Sequence, residues 1–162
     1  MRIAVISDTH DNLTSLDQVL PDLDKADLVL HCGDLISPFV VARLGSLSLP
    51  VHVIFGNNDG DQRLLTLAAQ QAGNVHVHGQ YFEQTVDGLT IAMNHYPEIA
   101  RPLAEGPRYD LVCYGHDHQA HESRLGETTL LNPGELLGLK GRRTYAIFDT
   151  HDRTVHWKEL GD

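Results

Sequence analysis

Five short apolar runs, each passing straight into a cluster of Asp, Asn or His, constrain the fold of this chain more than any other feature. Ile3-Ala4-Val5-Ile6 leads into Ser7-Asp8-Thr9-His10, the run 27–31 into Cys32-Gly33-Asp34, and the run 51–55 into Gly56-Asn57-Asn58-Asp59. Further along, Met93 leads into Asn94-His95 and Tyr114 into Gly115-His116-Asp117-His118. Short apolar runs bounded by polar turns are the pattern of buried strands. Between them, 13–23, 38–44 and 61–72 read as helices, the last with apolar residues at Leu64, Leu65 and Ala68. Strands alternating with helices predict βαβ units and a parallel sheet. In such sheets ligands gather beyond the carboxyl ends of the strands, so the five polar clusters are expected to converge.

After Gly73 the pattern changes. Segments 75–78, 80–86 and 89–94 read as adjacent strands, with Gly79 and Asp87-Gly88 as turns. A short helix near 98–105 precedes strands at 109–114, 121–125, 128–132, 143–149 and 153–159. The expected fold is α/β, with one mixed sheet or two packed sheets and helices outside. The 162 residues suit a single domain spanning 1–162. No apolar run reaches the roughly 18 residues of a membrane span, and the start lacks the features of a secretory leader. A cytoplasmic protein with Cys32 and Cys113 as buried free thiols is expected. A formal net charge of −10 argues against extended nucleic acid as a partner. Lys140, Arg142 and Arg143 read as a surface turn.

The chemistry follows from the residue types. Carboxylates mixed with imidazoles suit borderline divalent metals, whereas magnesium and calcium favour oxygen alone. Asp8 with His10, and His116 with His118, are each separated by one residue, so both members of a pair can point inward from a loop. Gly33, Gly56 and Gly115 let the backbone approach a crowded ion. The seven candidate ligands are Asp8, His10, Asp34, Asn57, His95, His116 and His118, too many for one tetrahedral zinc but suited to two ions sharing a bridge. Taken singly these residues have plainer roles. Asp8 and Asp34 could cap helices starting near 12 and 37, and Asn57-Asn58-Asp59-Gly60 could be a turn and cap. His31 reads equally as a structural histidine or as one that orients a neighbour. His52, His76, His78, His151 and His156 fall on predicted strands at positions expected to face solvent, and Trp157 reads as packing.

Taken in order, Asp8-Thr9-His10, Gly33-Asp34, Gly56-Asn57-Asn58-Asp59, His95 and Gly115-His116-Asp117-His118 resemble the blocks of the calcineurin-like metallophosphoesterase family. The size resembles its small bacterial and archaeal phosphodiesterase branch, and the likeness runs from about residue 3 to 134. It implies a four-layer fold, a sandwich of two sheets flanked by helices with metals at one edge. It implies two divalent transition-metal ions, manganese first, with nickel, cobalt, iron or zinc as alternatives. Asp8, His10 and His118 would hold one ion, Asn57, His95 and His116 the other, and Asp34 would bridge. Asp34, Asn57 and His95 would be catalytic, with Asn58 and His121 near substrate. The expected reaction is hydrolysis of small phosphate esters, diesters foremost, by a hydroxide that the metals share. The alternative is a non-catalytic interaction scaffold, as in the retromer subunit that resembles this family but has lost metal ligands. All seven positions here are metal-competent, which favours the enzyme. Whether copies of the chain associate is left open. Three departures from the family pattern stand out: Asn58 where histidine occurs, Tyr96-Pro97 where glycine is usual after His95, and Glu135 where serine usually follows Asn132-Pro133-Gly134.

Overall fold

The computed structural model describes residues 1–161. Its first part alternates β1 (Arg2–Ile6), α1 (Leu13–Leu23), β2 (Leu28–His31), α2 (Pro38–Leu44), β3 (Val51–Val53), α3 (Gln62–Ala72) and β4 (Val75–Val77). There follow β5 (Tyr81–Val86), β6 (Leu89–Asn94), α4 (Pro97–Glu105) and β7 (Leu111–Cys113). The chain closes with β8 (His121–Leu125), β9 (Thr128–Asn132), β10 (Thr144–Asp149) and β11 (Thr154–Glu159).

The strands form two mixed sheets, not one. The first has the order β11-β10-β1-β2-β3-β4 and the second β5-β6-β7-β9-β8. Strand β1 shows why the sheets stack. Ile3 and Val5 point into the core between the sheets, while Ala4 and Ile6 point toward α1 to α3, because side chains alternate across a strand. A strand buried on both faces must be apolar throughout, which is what 3–6 is. The core between the sheets is completed by Leu30, Ile54, Phe82, Ile91, Met93, Leu111 and Phe148. On the far side of the second sheet, Ala100 and Ala104 of α4 pack against Ala92, Val112 and Leu130. Helix, sheet, sheet and helix make the four layers.

The parallel pairs β1–β2, β2–β3, β6–β7 and β7–β9 place their carboxyl ends together. Helix starts are closed by other residues than the candidate ligands. Asn12 accepts from the Ser15 backbone N–H, Ser37 from Phe39 and Asp61 from Leu64. Asp8 and Asp34 are therefore not caps. Tyr96-Pro97 opens α4 with proline in the first turn, which accounts for the departure after His95. Lys140 and Arg142 of the basic turn are exposed as expected, Arg142 paired to Glu159, while Arg143 is half-buried and bonded to the Gly161 carbonyl. Cys32 and Cys113 are buried free thiols. Trp157 lies on the surface, 39% exposed. Two histidine expectations need correction. His151 sits in a turn, not a strand, and His52 is half-buried because its face of β3 looks onto Phe82 of the second sheet. Among the described residues no helix is long and apolar enough to cross a membrane.

Candidate metal centre

The loops after β1, β2, β3, β6 and β7 bring all seven candidate ligands together. Asp8 Oδ1 lies 3.4 Å from His118 Nε2 and 3.7 Å from His10 Nε2. Asp34 Oδ2 lies 3.3 Å from His10 Nε2 and 3.5 Å from His95 Nε2. Asn57 Oδ1 lies 3.1 Å from His95 Nε2 and 2.8 Å from His116 Nδ1. Oxygens and rings thus alternate from His118 through Asp8, His10, Asp34, His95 and Asn57 to His116. Asp34 is the middle link. Asp8, Asp34 and His95 are the buried floor, and Asn57 and His116 the exposed rim.

The backbone is bent to achieve this. Asp8, His10, Asp34, His116 and His118 all have positive φ, between 44° and 72°. Side chains other than glycine rarely occupy that region, and such strain gathers at functional sites. The glycines answer the opposite demand. A Cβ on Gly56 would sit 2.2 Å from Asp34 Oδ1, and one on Gly115 would sit 2.6 Å from Asp8 Oδ2.

Charge and hydrogen-bond satisfaction both fit a site built for a cation. Asp8 Oδ1 and His10 Nε2 are buried without a hydrogen-bond partner. Two carboxylates this deep are costly unless positive charge joins them. His10 reflects that demand: the carboxylates of Asp34 and then Asp8, 3.3 and 3.7 Å from its Nε2, outweigh burial and raise it to about 9. Burial works to raise Asp34, yet the neighbouring rings of His10 and His95 and the hydrogen bonds from Asn58 prevail and hold it below the usual carboxylate range. Ligand atoms of Asp8, His10 and His118 lie within 4.8 Å of one another, and so do those of Asp8, Asp34 and His95. The donor set of imidazole and carboxylate fits two borderline divalent ions.

Three residues that the sequence reading did not place among the site residues hold this arrangement. Asp59 accepts the backbone N–H groups of Asp34, Leu35, Ile36 and Gly56 at 2.7–3.0 Å, tying the loop after β2 to the loop after β3. Asn132 donates to the Gly115 carbonyl at 3.1 Å and to Asp117 Oδ1 at 2.6 Å, bracing the loop that carries His116 and His118. Glu135, fully buried, places Oε2 2.7 Å from His118 Nδ1. With Nδ1 engaged, Nε2 of His118 faces Asp8 and the proposed ion; a carboxylate behind a ligating imidazole fixes the ring and raises its basicity. Glu135 in place of the serine that the family resemblance implies was the signal the sequence offered for it. His31 is neutral, lowered to about 4 by burial; its Nδ1 accepts from Gly33 N–H, so Nε2 donates to Thr9 Oγ1 at 2.8 Å. It is a satisfied structural histidine that also fixes the residue between Asp8 and His10.

The two residues expected near substrate lie differently. Asn58 is fastened to Asp34, with its backbone N–H on Oδ1 and its side-chain amide on Oδ2, each at 2.8 Å. His121 lies outside the ligand chain, lining a cleft of about 290 Å³ with Arg101, Tyr114, Asp117 and Gln119. Tyr96 packs edge-on against His95 and His116, ring centroids 5.3 and 5.1 Å away.

The sequence matches the calcineurin-like phosphoesterase superfamily domain over residues 1–153. The chain belongs to that superfamily. It is 28% identical over 158 residues to Phosphodiesterase MJ0936 of Methanocaldococcus jannaschii, covering 94% of this chain and 95% of the relative. A solved structure described as a novel archaeal phosphodiesterase superposes with a TM-score of 0.92 at 27% identity, over 99% of this chain and 100% of that one. Vps29 of Chaetomium thermophilum shares the fold, with a TM-score of 0.73 at 16% identity over 99% and 97% of the two chains. A calcineurin-like phosphoesterase domain thus accounts for both the two-sheet fold and the two acid–histidine groups at one edge.

The Glu135 contact gives a first expected result. Glu135→Gln keeps the shape but removes the charge behind His118, so metal affinity at the Asp8, His10 and His118 group should fall by about 10–100-fold. Metal retained against a graded chelator measures it, with thermal unfolding of the metal-free protein as the control for folding. Retention equal to wild type would assign Glu135 to packing alone.

Proposed function

We propose that this chain is a cytoplasmic phosphodiesterase that hydrolyses small phosphate esters with two divalent transition-metal ions, manganese foremost. The observation that carries the reading is the unbroken alternation of oxygens and imidazoles with Asp34 at its centre. Asp8, His10 and His118 would hold one ion, Asn57, His95 and His116 the other, and Asp34 both. When bound, such a pair supplies Lewis acidity, lowering the pKa of a shared water and neutralising charge that grows on the phosphoryl oxygens.

The protein's own groups do the rest. Asp34 contributes negative charge between the two ligand sets, and Asn58 fixes its orientation through two hydrogen bonds. Glu135 keeps His118 in the tautomer that leaves Nε2 free for a metal. The exposed rim at Asn57, Asn58 and His116 leaves one side of the centre open for an ester to approach. Arg101 and His121 offer hydrogen-bond donors in the neighbouring cleft. Two dications less the charges of Asp8 and Asp34 leave the centre positive inside a chain of net charge −10, which favours small anions over long polyanions.

Protein purified without chelator should carry close to two transition-metal equivalents held by the centre, and should hydrolyse diesters from a panel of mono- and diesters. A centre that holds a single ion after supplementation would end the binuclear reading. Two bound ions with no turnover on any ester would favour the scaffold.

A further inference from the structure

A second group of histidines meets at the β4 edge of the first sheet, outside the ligand chain of the metal centre. Val51-His52-Val53 and Val75-His76-Val77 pair in register, so His52 stands directly opposite His76. Val51, Val53 and Val75 face the helices, which turns His52 and His76 to the other face, toward the second sheet. His78, two residues beyond His76, shares that side of the chain. His52 Nδ1 lies 2.8 Å from His78 Nε2, and the ring of His76 lies 5.2 Å from that of His52. Phe82 forms the wall behind them, its ring 4.9 Å from both His52 and His78. His76 and His78 are exposed. The cluster is therefore closed on one side by an aromatic ring and open to solvent on the other.

We propose that His52, His76 and His78 form a separate transition-metal site, taking a borderline divalent ion such as zinc, nickel or copper through imidazole nitrogens alone. Two imidazole nitrogens facing each other can share only one proton, whereas a cation uses both lone pairs. Zinc–nitrogen bonds of about 2.0–2.1 Å in a tetrahedral site set two ligand nitrogens roughly 3.3 Å apart, so the His52 and His78 rings need part only slightly. His76 does not yet point at the same place; its exposed ring must turn to complete the set. The absence of a carboxylate among the three excludes hard ions such as magnesium and calcium as the preferred occupant. The His52 and His78 rings are available as ligands at neutral pH. Burial, and then His78 and His76, push His52 down to about 4, and burial lowers His78 as well. No residue of this group belongs to the centre described above, so the inference stands apart from the proposed function.

Equilibrium dialysis of the full chain against zinc, read by elemental analysis, tests it. Wild type should take up one equivalent more than the His76→Gln, His78→Gln double variant, whose altered side chains are exposed and should leave thermal unfolding of the metal-free protein unchanged. Asp34→Asn should lose zinc at the centre yet keep the additional equivalent. Equal uptake by wild type and the double variant would overturn the proposal. As a second measurement, His52→Gln alone should also lose the additional equivalent; its retention in that variant would equally overturn a site that depends on all three rings.

Discussion

Asp34→Asn is expected to abolish turnover without unfolding the protein. Asp34 is the middle link of the ligand chain, within 3.5 Å of rings assigned to both ions. The substitution is nearly isosteric and leaves untouched the backbone bond from Asp34 N–H to Asp59. What it removes is the negative charge that would screen the repulsion between two cations, and with it an oxygen able to serve both. His116→Ala should act alike for a different reason. His116 lies on the exposed rim, so no core packing is lost, while Asn57 loses the ring that faces it at 2.8 Å. The decisive measurement is kcat with metal content determined on the same sample. Either variant keeping more than a tenth of wild-type kcat with two ions bound would sink the ligand assignment.

The second large effect concerns the leaving group. Asn58 stands where the family pattern it resembles can carry a histidine, and it is tied to Asp34 by both its backbone and its side chain. An amide is not a proton donor of useful acidity, so the departing oxygen must leave with little help. General-acid assistance is typically worth about 10²–10⁴-fold, so its absence should slow alkyl esters strongly and nitrophenol-like esters hardly at all. A steep fall of kcat with rising leaving-group pKa is the expected result, and Asn58→His should flatten it. That variant also gives up the amide bond to Asp34 Oδ2, so its metal content must be measured beside its rates. If wild type gave a flat series with chemistry rate-limiting, another acid would be at work. His121, which lines the adjacent cleft, would be the next residue to change.

Much of this molecule was legible before any coordinates. The helices at 13–23 and 38–44 agree with the structure to the residue, because apolar spacing and neighbouring caps both mark their ends. The strands read at 27–31, 51–55 and 109–114 come out shorter at one or both ends. Their terminal apolar residues, such as Ile54 and Phe55, lie beyond the paired strand yet are buried by the two cores on either side of the sheet. Hydrophobicity records burial, and burial does not distinguish a strand from the bend that follows it.

The sequence by itself determined the alternation of elements, the apolar faces, and the seven metal-competent residues at strand ends, since all of these are local in the chain. Tertiary structure decided the rest. Only the stacking of two sheets brings the loop after β7 against that after β1, so that the His116 N–H meets Asp8 Oδ2 across 108 positions of sequence. Only packing shows that Asp59 binds four backbone N–H groups, that Glu135 stands behind His118, and that Asn58 leans on Asp34. Likewise the pairing of β3 with β4 puts His52 beside His76, and His78 meets the same ring from the loop beyond. Residue type and periodicity act over a few positions, but a hydrogen bond or a shared ion is a matter of distance between side chains far apart in sequence. That distance is set by how the layers pack.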